Sequence, residues 1–163
     1  MSWPEIESVF EICLDMCQKS KPIPYFYITG GDPILHCHFW DLMELFKLDK
    51  TAFTILGNPF HLNAEVGQRI KVCGSQRYQL SIDGLREMHD CILKPGSFDT
   101  TLKKIKCLHD TDIRCAIMTT VSGTNIDKIP GIIDLVVEQK ADIFAFARYC
   151  PTSSEKTTHL SPA

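Results

Sequence analysis

No apolar run in this 163-residue chain approaches the roughly 20 residues that a membrane-spanning helix needs, so no membrane partner is expected. The opening Met1-Ser2-Trp3-Pro4-Glu5 has no basic region ahead of an apolar stretch, so no signal peptide and a cytoplasmic location are the expectation. There is no surplus of positive charge. Lys and Arg number 17 against 20 Asp and Glu, for a net charge of −3, so the chain carries no electrostatic footprint for nucleic acid. Its one basic cluster, Lys103-Lys104-Ile105-Lys106, falls in a helical pattern and reads as a solvated face. No G-x-G-x-x-G follows any strand-like run, and a dinucleotide-binding fold loses its main support. Eight cysteines are present, but they are scattered and the chain does not look secreted. They are expected to be reduced, and mostly packed as small hydrophobes.

What is present is an ordinary globular composition, 44% hydrophobic and 23% charged, enough for one domain with a real core. Ile6, Val9, Phe10, Cys13, Met16 and Cys17 repeat at three-and-four spacing, which predicts a helix over 3–19. Ser2 and Glu5 give it an S-x-x-E capping box. Strands are predicted at Tyr25–Thr29, Thr51–Leu56, Arg77–Ile82, Ile113–Val121 and Asp142–Ala147. Helices are predicted between them at about 38–47, 63–70, 98–108 and 129–138. Strict alternation of this kind implies a parallel sheet with right-handed crossovers.

Each predicted strand ends in glycine or polar residues: Gly30 to Asp32, Asn58, Ser81 and Asp83, Ser122 and Asn125, and Arg148. Ligands bind at that edge both in doubly wound sheets and in barrels, and polar groups from several neighbouring tips favour the barrel. Gly30-Gly31-Asp32-Pro33 allows close backbone approach, and Asp32 suits an ammonium group; as a bare pattern it is equally a tight turn. In Ser81-Ile82-Asp83-Gly84, alternation turns Ser81 and Asp83 to one face and Ile82 to the other, although Asp83-Gly84 is also common turn chemistry.

This ordered set resembles the radical S-adenosylmethionine (radical SAM) superfamily. Arg86-Glu87-Met88-His89-Asp90 and Pro95-Gly96-Ser97-Phe98-Asp99 are similar to its peptide- and protein-modifying members, the ribosomal-peptide maturases and anaerobic sulfatase-maturating enzymes. The resemblance covers nearly the whole chain. It implies an α/β fold, a partial (β/α)6 TIM-like barrel with its first strand missing, over 1–151, followed by a polar tail at 152–163. It also implies that Gly30, Gly31, Asp32 and Pro33 hold the amino group of SAM. Ser81 would hold its carboxylate or ribose with Asp83 nearby, and Asn125 and Arg148 would make contact from the last two strands; Arg148 suits a carboxylate through its planar donor fork. Related sequences often carry an arginine where this chain has Ile92-Leu93-Lys94.

The larger departure is the absence of C-x-x-x-C-x-x-C, the loop that holds the family's 4Fe–4S cluster. Cys13-Leu14-Asp15-Met16-Cys17 gives only its first half, since position 20 is Ser20, and both cysteines lie on the helix's apolar stripe. The chain is therefore expected to be an incomplete core that binds no cluster and is inactive alone. Its complete form would cleave SAM with an electron from flavodoxin or ferredoxin and abstract hydrogen from a peptide or small protein. Such a core, with a bared sheet edge, is expected to self-associate. Two other readings stay open: a metal-dependent barrel hydrolase using His36 and His38, with Asp83 as a third ligand, and a non-catalytic relic that binds SAM or a peptide.

Overall fold

The structure, a computed structural model, describes residues 1–150; the polar tail expected over 152–163 lies outside the described residues. The elements follow one another as α1 (Trp3–Ser20), β1 (Tyr25–Ile28), α2 (Phe39–Asp49), β2 (Ala52–Leu56), α3 (Ala64–Val72), β3 (Ser75–Ser81), α4 (Arg86–Ile92), α5 (Ser97–Asp110), β4 (Arg114–Val121), α6 (Ile129–Glu138) and β5 (Ile143–Arg148). Short 3₁₀ turns occupy Pro33–Leu35 and Ile126–Lys128. The five expected strands are all present, displaced by at most two residues at either end.

All four strand pairings are parallel, and the spatial order is β1-β2-β3-β4-β5. The order never reverses, so there is no topological switch point and the sheet is not doubly wound. It is singly wound, like the wall of a (β/α) barrel, and right-handed crossovers bring every connecting helix to the same face. The row Ile28, Ile55, Tyr78, Cys115 runs across four strands in register on that face. It meets Phe10 of α1, Phe46 of α2, and Ile105 and Leu108 of α5 in one core. The Phe46 ring stacks on Phe53 at 4.8 Å between centroids. Burial pushes the Cys115 thiol up to about 12, so it behaves as an apolar core residue.

The opposite, helix-free face carries Tyr25, Tyr27, Arg77, Gln79, Ser81, Arg114 and Thr120, a polar and partly exposed surface. At one margin of the sheet stands β1. Beside it a cavity of about 420 Å³ opens between α1, β1 and α2, lined by Ile6, Phe10, Phe26, Ile28, Phe39 and Phe46 among others. Only Phe10 of the α1 stripe is buried, while Val9 and Met16 stand about half exposed.

Helix α4 has no counterpart in the periodicity, because its seven residues bury a single side chain, His89. It is fixed through α5 instead. Asp90 accepts the Gly96 N–H at 2.9 Å and the Phe98 N–H at 2.8 Å, two donors at the start of α5 that the helix itself leaves without partners. Those two bonds hold the Asp90 carboxyl below its ordinary range.

Candidate functional site

The strand tips gather Gly30–Pro33, Asn58, Ser81–Asp83 and Ser122–Asn125 along one end of the sheet. At the β1 tip Gly30 has φ +152°, a conformation that favours glycine. A side chain at Gly30 or Gly31 would meet no other atom within 4 Å, so the backbone here faces open space. Asp32 follows with both carboxylate oxygens in use. Oδ1 accepts the Ile34 N–H at 3.3 Å, capping the 3₁₀ turn that Pro33 begins, and Oδ2 lies 2.6 Å from His61 Nδ1. The Asp32 side chain is only 6% exposed, whereas His61 is 47% exposed in the loop after β2. This pair ties two neighbouring tips together. It was not legible in the sequence, because the partners are 29 residues apart and meet only when β1 and β2 align.

At the third and fourth tips the polar groups form a closed clip. Ile82 N–H donates to Met118 O at 3.0 Å, and Thr119 Oγ1 donates to Ile82 O at 2.6 Å. The Asp83 carboxylate accepts the Thr120 N–H at 2.6 Å. Asn125, 1% exposed, donates through Nδ2 to Asp83 O at 2.9 Å and Thr120 O at 2.8 Å, and accepts the Ser122 N–H at 2.8 Å. Asp83 and Asn125, expected to lie near the cofactor, are thus the groups that hold the rim in shape. Ser81 stays exposed on the helix-free face, as alternation requires, and Ile82 is fully buried. Arg148 is exposed at the β5 tip. Its register with Val121 sets it on the helix-covered face with Phe144 and Phe146, opposite to Ser81, so the structure does not bring these two residues together.

His89 supports the clip from below. It is fully buried, accepts the Asp83 N–H at Nδ1 (3.3 Å) and lies 3.2 Å from Ser97 Oγ through Nε2. With Nδ1 accepting, the proton sits on Nε2 and the ring is neutral. Burial pushes the imidazole below its ordinary range, against the pull of Asp83 and Asp90. The unfolded chain takes up a proton near pH 6.5 that the folded chain refuses. This contribution to stability is therefore complete above that pH and is lost as pH falls toward the lower folded value. Thermal melts followed by circular dichroism should show Tm falling from pH 7 to pH 5, with a smaller slope in His89→Gln. An equal slope in both proteins would refute the assignment.

The histidines of the hydrolase reading do not converge with their proposed third ligand. His36 Nδ1 accepts the His38 N–H at 3.1 Å, and His38 Nδ1 pairs with Asp41 Oδ2 at 3.0 Å. Both line the cavity beside β1, which Asp83 does not. Among the described residues no three His, Cys, Asp or Glu side chains come together as a metal site, and this applies equally to Cys13 and Cys17 on α1. The described residues therefore do not fit a 4Fe–4S cluster, which needs several thiolates.

Known proteins resemble this chain in sequence and in fold. The family model of the Radical SAM superfamily matches residues 2–136. An AdoMet-dependent heme synthase of Methanosarcina barkeri is 28% identical over 143 residues, covering 86% of this chain and 41% of the relative. The mycofactocin maturase MftC of Mycolicibacterium smegmatis is 24% identical over 121 residues, covering 72% of this chain and 31% of the relative. Among solved structures, anSMEcpe with bound AdoMet and Kp18Cys peptide superposes with a TM-score of 0.70 at 15% identity, over 83% of this chain and 41% of that one. That likeness shows the fold, a partial TIM-like barrel. The chain spans less than half the length of each of these proteins.

Proposed function

Because the chain belongs to the radical SAM superfamily, we propose that the rim running from Gly30 to Asn125 is a SAM-binding site that serves the modification of a peptide or small protein. The observation that carries this reading is the β1 tip, where open glycine backbone stands beside a nearly buried, oriented carboxylate. Gly30, Gly31 and Pro33 shape the loop, and Asp32 takes the ammonium of SAM. Ser81 takes its carboxylate or ribose hydroxyl from the exposed face of β3; Arg148 starts from the opposite face and would reach the ligand only around the β5 tip. Asp83 and Asn125 act through the backbone, by fixing where the β3 and β4 tips lie. The family's reductive cleavage of SAM needs a 4Fe–4S cluster whose ligands these residues do not assemble. The part of the reaction carried here is to bind and orient SAM, and by itself this chain does not cleave it. A peptide substrate is supported by the likeness to a maturase and to a structure solved with a peptide bound.

Calorimetric titration of the protein with SAM tests the cofactor assignment. Binding is expected, and Asp32→Asn should weaken it about tenfold or more, the scale of one lost hydrogen bond to a charged group. The substitution keeps an acceptor for the Ile34 N–H, so the turn is preserved. Absence of SAM binding at millimolar concentration, or equal affinity in Asp32→Asn, would overturn the reading.

A further inference from the structure

Arg77 of β3 and Arg114 of β4 are direct register partners. Their chain neighbours Tyr78 and Cys115 are buried under the helices, so alternation turns both arginines to the helix-free face. Like charges at paired positions of adjacent strands oppose sheet formation. Among the described residues no carboxylate lies within ion-pairing distance of either guanidinium; of the acids at the same end of the sheet, Asp112 is held by Lys71 and Asp142 accepts the Cys115 N–H.

Both guanidinium groups are nonetheless fixed. Arg77 Nε donates to Tyr25 Oη at 3.3 Å, and Thr54 Oγ1 holds that oxygen in turn at 2.6 Å. The Arg77 guanidinium also lies over the Tyr25 ring, 5.6 Å from its centroid. Arg114 Nε donates to Gln76 O at 3.3 Å, and Arg114 lines a cavity of about 350 Å³ with Lys71, Ser75, Gln76 and Asp112, whose carboxylate pairs with Lys71; Arg77 stands outside that cavity. With Nε engaged, each side chain presents its two Nη groups, the fork that matches the two oxygens of a carboxylate. Contact with Tyr25 holds the Arg77 guanidinium from one side. It does not account for two paired arginines, neither of them in an ion pair.

The geometry points to a carboxylate-binding site made by Arg77 and Arg114, whose ligand is an acidic side chain of an extended peptide lying along the helix-free face. Arg77 and Ser81 stand four residues apart on β3, roughly 13 Å, which an extended peptide also spans in about four residues. An acidic residue on the arginines thus sets a residue about four positions away beside the rim. Tyr25 and Tyr27, exposed with ring centroids 5.4 Å apart, give this path an aromatic flank. The inference rests on the peptide reading of the substrate and not on the cofactor assignment.

Fluorescence anisotropy with labelled hexapeptides at low salt tests it, comparing a glutamate-containing sequence with its glutamine counterpart. The glutamate peptide should bind at least tenfold more tightly, and Arg77→Gln/Arg114→Gln should abolish the difference. Arg114→Gln alone, at an exposed position, should weaken the glutamate peptide several-fold and melt no lower than the parent. SAM titrations of the same samples should be unchanged by these substitutions, so failure of this site and failure of the cofactor reading are read separately. Equal binding of the two peptides, or full affinity in the double variant, would overturn the proposal. Succinate binding as tightly as the peptide would overturn the peptide assignment.

Discussion

Asn125→Asp is expected to cost at least about 3 kcal/mol of stability at neutral pH and to abolish SAM binding at the rim, although the side chain scarcely changes shape. The amide of Asn125 donates to two carbonyls, Asp83 O and Thr120 O, from a fully buried position. A carboxylate has no proton for either, and it places a negative charge against both oxygens without solvent. Asn125→Ala should be milder. It leaves two carbonyls and the Ser122 N–H without partners but adds no charge. Urea unfolding should therefore rank the parent above Asn125→Ala above Asn125→Asp. Lowering the pH should recover part of the loss in the aspartate variant, since a protonated carboxyl regains one donor. The reverse ranking would mean that the clip is not what holds the β3 and β4 tips together.

The second large effect is expected at Gly57, just past β2. A β-carbon there would stand 2.0 Å from Tyr78 Oη and 2.5 Å from Cζ of the same ring, far inside contact distance. Tyr78 has nowhere to retreat. It is fully buried, and its hydroxyl donates to Asn58 O at 3.2 Å. Gly57→Ala should cost about 3 kcal/mol, the upper end of overpacking penalties. The diagnosis can be separated from any backbone effect by a double-mutant cycle. Tyr78→Leu removes the ring end, so adding Gly57→Ala to that background should cost almost nothing further. Tyr78→Phe should rescue only in part, because the ring carbons remain too close. An undiminished cost in the leucine background would refute the clash.

Much of this architecture was readable before any coordinates. Tyr25–Ile28 and Arg114–Val121 are strong strand-formers followed by polar residues, and the helix-side row follows from simple alternation. The motifs at Gly30 and Ser81 fell at strand tips, where they were expected. What the pattern could not reveal were contacts made across units. Asp32 and His61 belong to successive βα loops, and nothing local to either marks the pairing. The resemblance implies a cofactor contact for Asn125; that its amide goes to the Asp83 carbonyl follows only from the position of the neighbouring strand tip. Helix α4 was missed because a seven-residue helix that docks through one histidine has no periodicity to detect. Similarly, the apolar stripe of α1 predicts the helix but not its surroundings: most of it lines the cavity beside β1 or faces outward.

The strictly sequential strand order has a consequence for how the protein assembles. Each pairing closes a loop of only one βα unit, so ordering can spread outward from β3 in small steps without a long-range closure. The same order makes cooperativity uneven. β3 is gripped on both sides by strands that are themselves flanked, while among the described residues β1 and β5 each have one neighbour. Amide protection should then fall from the middle of the sheet toward its margins. The two halves of the rim therefore sit at different depths in this gradient. The Asp83–Asn125 clip belongs to the slowly opening centre, and the Gly30–Asp32 loop to a margin that opens first. Ligand capture at Asp32 would then be coupled to the closing of that outermost unit.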